Sequence, residues 1–245
     1  MKHTDSGELK VLAIDTSTEY CSVAYCDGEQ IIYRGREAPR EHADLVLQYV
    51  DEILKEAQVS LDQLDGLALG KGPGSFTGVR IAASIGQGLA FSHNLPVVGI
   101  SSLEAMAYQA YRLHDASQVV AAIDARMGEV YFGTYSVSES RIKVWGEESV
   151  VPPSNVLSCV ADEFKKQDGT YFGVGTGWVT YPDALSNALE SLPDIELSHS
   201  VRFPHAIDLA TLGRERLKRG EGVAAEDFQV HYVRNEVTWK KLPGK

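Results

Sequence analysis

The chain has 245 residues, 44% of them apolar, and a formal net charge of −11. That length supports one large or two small domains with a real core, and the acidic balance argues against a protein that grips nucleic acid unaided. Three cysteines without CxxC spacing fit a reducing compartment, and no apolar run approaches the roughly 18 residues of a membrane span, so the sequence reads as soluble and cytoplasmic.

In chain order, Leu9 to Ile14 reads as a buried strand, Asp15 to Tyr20 as a polar turn and Cys21 to Cys26 as the returning arm of a hairpin. A third strand is expected over Gln30 to Arg36, then a helix from Arg40 to Ala57 behind Pro39. Leu64 to Leu69 is a short buried strand leading into GKGPGSFTGVR, Gly70 to Arg80. A second helix follows over Thr77 to Ser92, then a strand at Val97 to Ile100 and a third helix at Ser102 to His114, capped by Ser101 or Ser102.

The second half opens with an echo. VVAAIDARMGEVYFGTY, Val119 to Tyr135, repeats the order of VLAIDTSTEYCSVAY, Val11 to Tyr25: apolar strand, Ile-Asp, polar turn, second strand. Asp15 and Asp124 stand 109 positions apart, about one small domain, so duplication is the economical reading and chance the alternative. Further elements are a helix at Ser154 to Lys166, a strand at Tyr171 to Val174 and a glycine-rich turn, GVGTGW, at Gly173 to Trp178. Helices follow at Tyr181 to Leu192 and Ala206 to Arg219, and a basic extended tail runs from Tyr232 to Lys245. The class is α/β, with domains at 1–103 and 104–245, the second less regular and the helix at 206–219 a candidate to pack back on the first.

The glycine loop fails both phosphate-loop templates. No register places Lys and Ser or Thr after the final glycine, and Thr77 stands where a GxGxxG motif needs its third glycine. The favoured reading is a turn that lets the backbone pass close to something, with contact to an anion or a partner as the alternative. The paired hairpins also suggest an actin-like nucleotide cleft, in which Asp15 and Thr16, Asp124, and Gly175 and Gly177 form a vestigial site. The turn after Asp15 lacks glycine, so close approach to phosphate is compromised. The histidines never fall at i, i+3 or i+4, and no GxSxG is present, so no catalytic residue, metal or cofactor is assigned.

The first helix is more informative. Its apolar residues sweep an arc of about 200° at 100° per residue, twice what one sheet needs. In the second, IAASIGQGLAF carries no charge and several small residues, which let another backbone approach. His42, Leu45, Val46, Tyr49 and Ile53 of the first helix, with Ala82, Ile85, Gly86 and Leu89 of the second, are the candidate partner interface.

LAIDTSTEYCSVA, PREH, GKGPGSFTGVRIA, AAIDARMGEVYF, VGTGW and the terminal YVRN with WKKLPGK together resemble the TsaB family, formerly YeaZ, of the gammaproteobacterial type. The resemblance covers nearly the whole chain. It implies two ribonuclease-H-like domains of the actin-like ATPase (ASKHA) superfamily and a non-catalytic role in threonylcarbamoylation of adenosine 37 in tRNAs that read codons beginning with A. It implies a heterodimer with TsaD through the first two helices, a homodimer when TsaD is absent, TsaE as a further partner, and tRNA contact only within the complex. TsaD holds a metal with an HxxxH pair, and no HxxxH occurs here. The alternatives are an actin-like ATP-binding enzyme or a protease acting on its partner.

Overall fold

The computed structural model describes residues 8–28, 30–139 and 141–234. Its organising strand is β1 (Val11–Asp15), which is buried throughout. Strand alternation sends Leu12 and Ile14 to one core with Leu67 and Leu69, and Val11 and Ala13 to the opposite core with Ala68 and Val98. Both faces therefore need a helical cover.

Beside β1 run β2 (Tyr20–Cys26) and β3 (Ile31–Glu37) as an antiparallel meander, and β4 (Gly66–Gly72) and β5 (Val97–Ser101) as parallel strands. The sheet order is β3-β2-β1-β4-β5. A second sheet is centred on β6 (Gln118–Arg126), with β7 (Glu129–Ser138) and β8 (Arg141–Val151) antiparallel on one side and β9 (Tyr171–Val174) and β10 (Ile195–Leu197) parallel on the other. Its order, β8-β7-β6-β9-β10, reproduces the first sheet strand for strand. Asp15 and Asp124 stand at equivalent ends of the two central strands, so the echo in the sequence is a repeated architecture.

Helices α1 (His42–Ala57) and α2 (Phe76–His93) cover one face of the first sheet. Gly86 presses α2 onto the sheet: a Cβ there would lie 2.4 Å from Leu69. The other face is covered by α6 (Ala206–Lys218), from the end of the described chain, and by α3 (Ser102–His114). A Cβ on Gly213 would sit 2.3 Å from that of Ala68, which shows how closely α6 lies on β4. Ion pairs join the two helices: Arg112 meets Asp208 through Nε and Nη2 at 2.8 and 3.1 Å, and Arg216 Nη2 donates to both carboxylate oxygens of Glu104 at 2.5 and 2.7 Å. Helix α3 also buries Leu103, Met106, Ala107 and Ala110 against the second sheet, so it serves both domains.

Elsewhere the structure departs from expectation. The helix expected at Ser154 to Lys166 is two 3-10 turns, Pro153–Cys159 and Phe164–Lys166, because Val160 is extended between them. The helix expected from Tyr181 is split into α4 (Thr176–Thr180) and α5 (Pro182–Ala188), with Tyr181 at φ −130° and Pro182 unable to donate to the preceding turn. Strands β8 and β10 were not anticipated; β8 is a mostly exposed edge, where a buried apolar pattern is missing. Of the basic tail, Arg234 is described, while Lys240, Lys241 and Lys245 lie outside the described residues.

Candidate functional site

The glycine loop lies on the first hairpin turn. Ser75 donates its backbone N–H to the Ser17 carbonyl at 2.7 Å, and the Thr16 hydroxyl donates to the Gly78 carbonyl at 2.6 Å. A Cβ on Gly74 would lie 2.1 Å from the Ser17 carbonyl oxygen, and one on Gly78 2.0 Å from that of Thr16. These glycines are present because backbone packs on backbone, and Ser75 then caps α2 by accepting from Gly78 N–H.

Asp15 lies beneath this contact and is fully buried. Its Oδ2 accepts from the Ser17 hydroxyl at 3.1 Å, Oδ1 has no partner, and a Cβ on Gly70 would come within 2.0 Å of Oδ1. Desolvation pushes its carboxyl up to about 7, with the Ser17 hydrogen bonds opposing. Asp124 is held differently. Its Oδ1 accepts from Arg126 N–H at 2.8 Å and the Tyr181 hydroxyl at 3.3 Å, and its Oδ2 pairs with the Arg126 guanidinium at 3.2 Å. Arg126 also reaches Glu19 at 2.7 Å, tying the two hairpin turns together.

Gly175 and Gly177 pack against backbone. Cβ atoms there would lie 2.2 and 2.9 Å from the Ala122 carbonyl oxygen, so both seat α4 on β6, where Trp178 Nε1 donates to the Val120 carbonyl. A cleft of about 920 Å³ lies between the two hairpin turns, the glycine loop and residues 231–234. Of the five residues expected to form a vestigial nucleotide site, only Asp124 lines it. Thr16 is buried under the glycine loop.

The helix pair requires a correction of detail. Leu45, Val46, Tyr49, Ile53 and Ala82 belong to the core of their own domain, Gly86 abuts Leu69, and His42 is 7% exposed. The wide arc of α1 is consumed by the sheet on one side and by α2 on the other. Ile85 and Leu89 are half-buried. The uncovered face is made of other residues: Leu47 and Phe76 are 53% and 60% exposed, and Ala43, Phe76, Thr77, Ile81, Ser84 and Ile85 line a shallow depression between the helices. Arg80 stacks its guanidinium on Phe76 at 3.4 Å, with Tyr232 alongside. The signal was available, because Thr77, Ile81, Ser84, Ile85 and Gly88 follow one another at helical spacing on α2.

Among the described residues no group of three His, Cys, Asp or Glu side chains is placed to hold a metal, and no helix is long and apolar enough to cross a membrane.

The model of the family described as TsaD, tRNA N6-adenosine threonylcarbamoyltransferase, matches residues 34–238. The tRNA threonylcarbamoyladenosine biosynthesis protein TsaB of Escherichia coli is 42% identical, over 97% of this chain and all of that protein. The solved structure of YeaZ from Pseudomonas aeruginosa superposes with a TM-score of 0.78 at 41% identity, over 91% of this chain and 99% of that one. A tRNA N6-adenosine threonylcarbamoyltransferase from Listeria monocytogenes is 38% identical over 71 residues, 29% of this chain and 21% of that enzyme.

Proposed function

Since the chain belongs to the TsaB family and acts in the biosynthesis of threonylcarbamoyladenosine in tRNA, we propose that it does so as a non-catalytic subunit that binds TsaD through the outward face of α1 and α2. The observation that carries this reading is the face itself, an apolar strip in which Ala43, Leu47 and Phe76 are exposed and Ile81 and Ile85 are half-covered by their own domain. The relationship to the transferase family adds a reason for that geometry. Two chains with the same fold can pair equivalent helices about a pseudo-twofold axis, and a second copy of this chain can occupy the same face when TsaD is absent.

Against direct catalysis stands the condition of the two aspartates. One is sealed beneath Gly70 and the other is engaged by Arg126, so neither is free to organise a magnesium ion. Binding energy at the helix face therefore acts by selecting the working arrangement of the transferase. TsaE joins this pair, and tRNA is met only by the assembly, in keeping with the net charge of −11. The setting is the cytoplasm.

Size-exclusion chromatography with light scattering tests the reading. Ser84→Arg and Phe76→Asp, both at exposed positions, should abolish association with TsaD while circular dichroism stays unchanged. A complex of unaltered stability would refute it.

A further inference from the structure

The last described residues tie the rim of the helix face to the second domain. Gln87 of α2 donates to the Ala225 carbonyl at 2.7 Å and to the Phe228 carbonyl at 3.3 Å, and His231 N–H donates to the Lys71 carbonyl at 2.8 Å, which fixes the segment to the first domain. Tyr232 follows, its ring 5.9 Å from that of Phe76 and its hydroxyl accepting from Arg80 Nε at 2.8 Å. Two residues later the second domain takes hold. Arg234 Nη1 donates to the Ala125 carbonyl at 3.1 Å, Nη2 meets Glu129 at 2.5 Å, and the guanidinium lies 5.9 Å from the Tyr131 ring. Ala125 and Glu129 flank the hairpin turn of Arg126, Met127 and Gly128, so Arg234 grips that turn at both shoulders.

The two ends of this segment differ in their exposure to water. Arg234 and Glu129 are 18% and 33% exposed, whereas Tyr232 and Phe76 are 40% and 60% exposed and Arg80 is exposed as well. A hydrogen bond between Arg80 and Tyr232 at the wet end competes with solvent and contributes little. A partner that covers Phe76 and Arg80 removes the competing water, and a guanidinium left there without an acceptor would be costly, so covering strengthens the hold on Tyr232.

We propose that residues 231–234 are a strap that closes when TsaD docks: covering Phe76 and Arg80 tightens their hold on Tyr232, and the tightened segment fixes the second-domain hairpin through Arg234. This rests on the outward face of α1 and α2 being the docking surface. By linkage the effect is reciprocal, so cutting the strap at its far end weakens docking at the near end, although Arg234 does not line the depression between the helices.

Hydrogen exchange of the full chain, with and without TsaD, tests this. On adding TsaD, exchange over residues 124–131 should slow by about fivefold or more. Arg234→Ala should remove that slowing and weaken TsaD binding by about fivefold or more, and Arg80→Ala should cost less in that background than in wild type. Should Arg234→Ala fail to fold, Glu129→Gln cuts the same ion pair from the other side and should act alike. Unchanged exchange over 124–131 with TsaD bound, slowing that persists in both variants, or additive effects of Arg80→Ala and Arg234→Ala on binding each overturn the strap. A Ser84→Arg chain that still binds TsaD instead refutes the docking face on which the strap depends.

Discussion

Asp15 offers the sharpest energetic test. A carboxyl with no exposure, one hydroxyl partner and no cation beside it is held near 7 rather than 3.8. At about 1.36 kcal/mol per pH unit, that displacement is worth roughly 4 kcal/mol. The folded pKa is raised, so the contribution is fully present below pH 3.8 and is lost as pH rises to about 7. Asp15→Asn removes the titration while keeping the shape. Its amide N–H₂ takes the place of an oxygen that has no donor, at a cost of about 1–3 kcal/mol, so the variant should be more stable than wild type by about 1–3 kcal/mol at pH 8. The advantage should hold down to about pH 7 and then shrink by about 1.4 kcal/mol per pH unit as pH falls toward 4. Urea unfolding of both proteins at several pH values reads this directly. Titration of His205 and Asp208 is common to the two chains and cancels in the difference. A stability difference that stays constant from pH 4 to 8 would show that Asp15 ionises normally and that its isolation has been misread.

The core and face assignments separate at adjacent positions: Val46→Asp should abolish folding, while Leu47→Asp should leave circular dichroism intact and weaken association with TsaD. Gly78→Ala drives a methyl into the Thr16 carbonyl and should lower stability by roughly 2 kcal/mol or more in thermal unfolding, whereas Gly88→Ala, with open space around it, should raise it slightly. Arg112→Ala strands the buried Asp208 carboxylate and should cost about 3–5 kcal/mol at neutral pH. His205 is held down to about 4 by burial, so its contribution is present above pH 6.5 and lost as pH falls toward 4; the stability of wild type relative to His205→Asn, measured at each pH so that the Asp15 and Asp208 titrations cancel, should fall across that window.

The repeated fold was legible because it rests on local signals. A continuous apolar strand, an Ile-Asp end and a returning strand recur at Val11 and Val119, and each local pattern forces the same meander. The bounds of α3 follow from Ser101 as a cap, which accepts from Leu103 and Glu104 N–H. Where the reading failed, tertiary context decided. Arg141 to Val151 alternates poorly because β8 is an edge strand whose outward side meets water. Residues 154–166 lie over the second sheet and bury only Val156, Val160 and Phe164, which short turns achieve as well as a helix.

The helix pair shows a limit of periodicity as a guide to interfaces. An apolar arc reports the total surface a helix must hide and says nothing about which neighbour hides it. On α1 the deepest part of the arc, Val46 and Ile53, belongs to the sheet, and the shoulder at Ala43 and Leu47 remains outside. On α2 the small residues that suggested an approaching partner are spent on the sheet, since Ala82, Gly86 and Ala90 admit Leu69 and its neighbours. What stays outside is the stripe from Thr77 through Ile81 and Ser84, less greasy than its helix as a whole. Such a face is apolar enough to associate yet tolerable to water, as the proposed exchange between a second copy and a related chain requires.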